Sequence, residues 1–117
     1  MPHLLVIDDE PGLRTLYQRA LSAEGYEVDT AADCAQALSI LGSRSIDLVV
    51  LDIQLGGQNG LDLLNTISRD YRTTPVILCT AYSCYQEDLS SWQAHAYLVK
   101  SSNLEPLKQE IRRLVGR

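Results

Sequence analysis

Short apolar runs alternate along the chain with segments whose apolar residues recur at helical spacing. Residues 4–7 (LLVI) form the first run and end at Asp8-Asp9. Pro11 follows where a first helical turn tolerates proline, and Leu13, Leu16, Tyr17, Ala20 and Leu21 then trace one helix face, closed by Gly25. A short strand is predicted over 27–30, and a second helix over 35–41 with Asp33 as its cap. Residues 48–51 (LVVL) are wholly aliphatic, which predicts a strand covered on both faces. Leu61, Leu64, Ile67 and Ser68 mark a third helix. Residues 76–80 read as a fourth strand introduced by Pro75, and 85–92 as a weaker helical stretch. A fifth strand is predicted over 96–99. Leu104, Leu107, Ile111, Leu114 and Val115 then outline a last amphipathic helix, capped by Asn103 or Ser102.

Five strand–helix repeats of this kind predict an α/β fold, a doubly wound parallel five-stranded sheet with helices on both faces. The length of 117 residues suits one domain, spanning 1–117, with enough surface to bury a core unaided. No apolar stretch approaches the roughly 20 residues that cross a bilayer, and MPHLLVIDDE lacks the basic start of a signal peptide. Three cysteines (Cys34, Cys79, Cys84) without metal-ligand spacing read as reduced thiols in a cytoplasmic protein, with Cys79 in the core. A net charge of −5 argues against direct nucleic-acid binding by this chain. The basic cluster Arg112, Arg113 and Arg117 suits the end of a terminal helix.

The chemistry is concentrated where strands end. The first strand ends at Asp8 and Asp9, the third at Asp52, the fourth at Thr80 and the fifth at Lys100. Parallel strands place their carboxyl ends on one rim, where doubly wound sheets bind ligands. Three carboxylates there repel one another. Lys100 supplies one compensating charge, and hard oxygen ligands in small number suit Mg²⁺. Aspartate is also a competent nucleophile toward phosphorus. Phosphoryl transfer needs little beyond positioning and neutralised oxygens. This grouping points to Asp52 as a phosphoryl acceptor. Taken singly, each residue has an ordinary explanation: a helix cap, a strand residue, an exposed lysine, a turn former. Their joint placement carries the reading.

The segments LLVIDDEPGLR (4–14), DLVVLDIQLGGQNG (47–60), PVILCTAY (75–82) and AYLVK (96–100) resemble the receiver domains of two-component response regulators. The resemblance runs the length of the chain. It implies a flavodoxin-like sheet of order 2-1-3-4-5. It implies Asp52 as phosphoacceptor, Asp9 as a direct Mg²⁺ ligand and Asp8 as a ligand through water. Asp52 and the Gln54 carbonyl would complete the protein's share of the metal shell. Thr80, amides near Ala81, and Lys100 would bind the phosphoryl group, and Tyr97 would occupy the aromatic switch position. The implied donor is a phosphohistidine on a sensor histidine kinase or histidine phosphotransfer protein. The implied output is a changed interaction with a downstream protein or a C-terminal domain, as a monomer or a phosphorylation-dependent dimer. Such a domain catalyses only its own phosphorylation and dephosphorylation.

The pattern departs from the family in places. Ser101 stands where proline follows the lysine, Gly56 where a proline stiffens the loop after the acceptor, and Asn59 where an aspartate is usual. Gln93, His95 and Ala96 replace a glycine and an acidic pair, which weakens the case for dimer contacts built on those acids. Gly56 and Gly57 predict a loosened backbone over 55–58. Gly60 fits the start of the third helix with Asn59 as cap. Tyr82, two residues after Thr80, could equally shield the acyl phosphate from water or be a half-exposed aromatic. Two competing readings are a phosphorylation-independent interaction module, disfavoured by the complete residue set, and a small hydrolase. The latter lacks a carboxylate two residues after Asp52 to act as general acid.

Overall fold

The computed structural model describes residues 2–55, 58–80, 95–99 and 103–116. In chain order the elements are β1 (His3–Ile7), α1 (Pro11–Ala23), β2 (Glu27–Ala31), α2 (Cys34–Ser43), β3 (Leu48–Leu51), β4 (Gln54–Leu55), β5 (Gln58–Asn59), α3 (Gly60–Asp70), β6 (Val76–Thr80), β7 (Ala96–Val99) and α4 (Glu105–Val115). Five of the strands form one sheet in the order β2-β1-β3-β6-β7, every pair parallel. Counting only those five, this is the 2-1-3-4-5 order expected. The weaker helical stretch over 85–92, with Cys84 and Trp92, lies outside the described residues.

The alternation of strand side chains sorts the core into two layers. Leu5, Ile7, Val49, Leu51, Val76 and Leu78 bury on one face against Ala37 and Leu41 of α2 and Leu63, Leu64 and Ile67 of α3. Leu4, Val6, Leu48, Val50, Ile77 and Cys79 bury on the other, against Tyr17 and Leu21 of α1 and Leu107 and Ile111 of α4. The central strands β1, β3 and β6 are therefore largely aliphatic, because both of their faces are covered, whereas the edge strand β2 (EVDTA) carries polar residues and is only partly buried. Leu16 departs from the expected apolar face of α1. It is 44% exposed, because Tyr17 and Leu21, four apart, already define the stripe toward the sheet.

Local signals set the helix ends. Asp33 accepts a hydrogen bond from the Gln36 backbone N–H at 2.8 Å, the expected cap of α2. Pro11 opens α1, and Gly25 follows it with φ 96°, a conformation costly for other residues. At α4 the cap position falls on Leu104, which has no capping side chain, while Asn103 Oδ1 accepts from the Glu105 N–H at 3.1 Å. Asn103 thus serves this helix start from one residue outside the expected place. Arg112 and Arg113 occupy the last turn of α4, paired with Glu24 and Glu110.

At the amino edge of the sheet, His3 Nε2 lies 2.7 Å from Asp29 Oδ2, and Asp47 accepts from the His3 N–H at 2.7 Å. His95 also finds a structural use: its Nδ1 accepts from the Val76 N–H at 3.3 Å, and its own N–H donates to the Val76 carbonyl at 2.8 Å.

Candidate functional site

Strand register builds the site. Ile7 of β1 lies opposite Leu51 of β3. The next residues, Asp8 and Asp52, therefore leave the sheet side by side, one strand spacing apart. The ladder continues through both: the Asp8 N–H donates to the Ala31 carbonyl at 3.1 Å and the Asp52 N–H to the Ile7 carbonyl at 3.0 Å. The two carboxylates thus stand on fixed backbone and not on loose loop. Asp8 is 2% and Asp52 6% exposed, the two polar residues buried among those described. Asp9, one residue on, is exposed. One ligand oxygen from each of Asp8, Asp9 and Asp52 lies within 4.8 Å of the others.

Three carboxylates this close, two of them buried, suit a small hard cation. The donor set is all oxygen, with no histidine or cysteine, which disfavours transition metals. The Asp8 carboxylate also accepts from the Glu10 N–H at 2.9 Å, and the Asp8 carbonyl accepts from Arg14 Nη1 at 2.7 Å. Both bonds shape the turn that carries Asp9.

Register brings the fourth and fifth strands to the same rim. Leu78 pairs with Leu51, and Thr80 with Val99. Thr80 is therefore the last residue of β6 at the edge where Asp52 emerges, and Tyr97 pairs with Leu78 in β7. The description of Thr80, Tyr97 and Gln54 stops at their backbones. Ala81, Tyr82, Lys100 and Ser101 lie outside the described residues.

The segment after Asp52 begins and ends in paired backbone. Gln54 pairs with Asn59 and Leu55 with Gln58 in an antiparallel two-residue ladder. Gly56 and Gly57, the two residues between the paired ends, lie outside the described residues. Asn59 belongs to β5, and the Gly60 N–H at the start of α3 donates to the Ile53 carbonyl.

Two residues that sequence reasoning did not single out border the site. Arg14 is the first. Tyr17 is the second: it is 2% exposed, and its hydroxyl lies 3.9 Å from Cys79 Sγ. Burial holds the phenol well above its ordinary pKa, with Cys79, Asp8 and Asp52 adding to the effect. A cavity of about 30 Å³, room for one water, lies beside it among Cys79, Leu98, Asn103 and Leu107.

Known proteins are similar to this chain in sequence and fold. The response regulator receiver domain family matches residues 4–112. The chain is 35% identical over 116 residues to the transcriptional regulatory protein TcrA of Mycobacterium tuberculosis, covering 97% of this chain and 46% of TcrA. It is 33% identical over 111 residues to the transcriptional regulatory protein GlrR of Escherichia coli, covering 93% of this chain and 25% of GlrR. It therefore spans half or less of these relatives. Among solved structures, the response regulator TrrA of Thermotoga maritima in complex with Mg²⁺-BeF superposes with a TM-score of 0.91. Its identity is 45%, covering 97% of this chain and 99% of TrrA. TrrA in complex with the histidine kinase ThkA gives a TM-score of 0.90 at 43% identity, covering 98% of this chain and 99% of that one. In the described residues no helix is long and apolar enough to cross a membrane. With its whole core and its rim of carboxylates inside the matched region, this chain belongs to the response regulator receiver domain family.

Proposed function

We propose that the chain is a phosphorylation switch of a two-component system, accepting a phosphoryl group on Asp52 from a phosphohistidine of a sensor histidine kinase or phosphotransfer protein. The observation that carries this reading is the convergence of Asp8, Asp9 and Asp52 within 4.8 Å. The complexes of the similar TrrA, with Mg²⁺-BeF and with ThkA, support it.

Asp8, Asp9, Asp52 and the Gln54 carbonyl would hold Mg²⁺. When bound, the ion supplies charge neutralisation for the phosphoryl oxygens. Asp52, fixed by its ladder bond to Ile7, presents a carboxylate oxygen to phosphorus from the side opposite the donor nitrogen. The new O–P bond forms as the P–N bond breaks, and its electron pair returns to the imidazole. Thr80, the Ala81 amide and Lys100 hold the transferred oxygens. Thr80 is drawn toward them, and Tyr97 turns inward to fill the space it leaves. The altered outer face then changes its affinity for a downstream protein or an attached output domain. The domain turns over no other substrate, and it works in the cytoplasm, where sensor kinases present their phosphohistidines.

Incubation with a small-molecule phosphodonor, with and without Mg²⁺, followed by intact mass, tests the reading. One phosphoryl adduct that needs Mg²⁺ and is absent from Asp52→Asn is expected. A folded protein that takes up no phosphate would instead favour a phosphorylation-independent interaction module.

A further inference from the structure

We infer that Arg14 is a positioning residue for the metal-binding carboxylates. The inference rests on the reading of the rim as a Mg²⁺ site and deepens it.

Arg14 closes the first turn of α1, which begins at Pro11 and has no acidic residue in that turn. A cation there opposes the positive end of the helix dipole, so the helix itself gains nothing from it. Its guanidinium turns back instead. Arg14 Nη1 donates to the Asp8 backbone carbonyl at 2.7 Å, across six residues. The target is informative, because three carboxylates stand at the same rim. An arginine paired with one of them would compete with a metal ion for the same oxygens. Bonded to the carbonyl, it fixes the chain between Asp8 and Asp9 and leaves the coordinating oxygens of that turn to other uses.

Three bonds then close one small unit. The Asp8 carboxylate takes the Glu10 N–H at 2.9 Å, the Asp8 carbonyl takes Arg14 Nη1, and the Arg14 N–H donates to the Glu10 carbonyl at 3.1 Å. Asp8 is anchored in the sheet by its N–H, held 3.1 Å from the Ala31 carbonyl. Asp9 is exposed, and its direction depends on the peptide that Arg14 grips. Arg14 thus sets the angle at which Asp9 meets Asp52, in the way that outer-shell partners orient ligands in metal sites.

Charge and geometry predict opposite signs, which makes the inference testable. As a mere nearby cation, Arg14 repels Mg²⁺, and its removal should tighten binding. As a positioning residue, its removal should weaken binding. Wild-type protein is titrated first with Mg²⁺ by calorimetry. Absence of binding there would count against the proposed function itself. Given binding, Arg14→Met, with its fold checked by circular dichroism, is expected to raise the Mg²⁺ Kd about tenfold, at the lower end of the range for outer-shell substitutions. Arg14→Gln, which also removes the charge and is too short to reach the carbonyl, should weaken binding in the same direction and gives the answer if the Met variant does not fold. A Kd unchanged or lowered in a folded variant overturns the inference.

Discussion

Gly60 packs directly on the backbone of Asp52. A Cβ built on Gly60 collides with the Asp52 carbonyl oxygen, and it would also stand 2.8 Å from the Ile53 carbonyl oxygen and 2.9 Å from the Ile53 Cα. All three atoms belong to the main chain and cannot rotate away. The glycine is needed because α3 starts hard against the strand end that carries the candidate phosphoacceptor.

Gly60→Ala should therefore lower stability by about 1–3 kcal/mol, the usual range for overpacking. It should also slow Mg²⁺-dependent phosphorylation, because the displaced segment bears Asp52. Urea unfolding without metal reads the first effect and adduct formation the second. Wild-type behaviour in both would mean that the junction relaxes easily.

Tyr17 gives the protein an alkaline sensitivity. Its phenol is raised above the ordinary value near 10 chiefly by burial. The sign follows from the unfolded state releasing this proton first. Stability from Tyr17 is complete below pH 10 and is lost progressively as pH rises toward the higher folded value. Tyr17→Phe should flatten the decline of unfolding free energy above pH 10 while changing stability near neutrality by only about 1 kcal/mol. Equal declines in both proteins would show that another group is responsible.

Among the described residues, Asp33 bonds to α2 and not to the carboxylates of the rim. Asp33→Ala removes the 2.8 Å cap to Gln36 and should cost about 0.5–2 kcal/mol, with the rate of phosphorylation per folded molecule unchanged. A thermal melt paired with the adduct assay separates the two effects. A large loss of phosphorylation in a fully folded variant would give Asp33 a role that its position does not suggest.

Most of the fold was legible because the central strands of this sheet are covered on both faces. A strand buried on both sides is largely aliphatic, so Leu48–Leu51 and residues 76–78 stand out from their polar surroundings. The convergence of Asp8, Asp9 and Asp52 was legible for a related reason. Parallel strands ending together leave no other place for those residues. What escaped was whatever lacks a period. The Gln54–Leu55 and Gln58–Asn59 ladder is two residues long on each side, too short to alternate. Leu16 was placed on the buried face of α1 because five apolar residues span a wider arc than the sheet covers. Arg14 left one faint signal, a cation in the turn where the helix dipole disfavours one. Gly60 was legible as the start of the third helix, but its close approach to Asp52, eight positions earlier, exists only in three dimensions.

The central claim is that Asp52 is the residue that takes up the phosphoryl group. The most direct measurement is to phosphorylate the protein with Mg²⁺ and a small-molecule phosphodonor, reduce the acyl phosphate with borohydride, and sequence the peptides by mass spectrometry. Conversion of Asp52 alone to homoserine is the predicted result. Conversion at Asp8 or Asp9 instead, or none in a protein shown to be folded and to bind Mg²⁺, would contradict it.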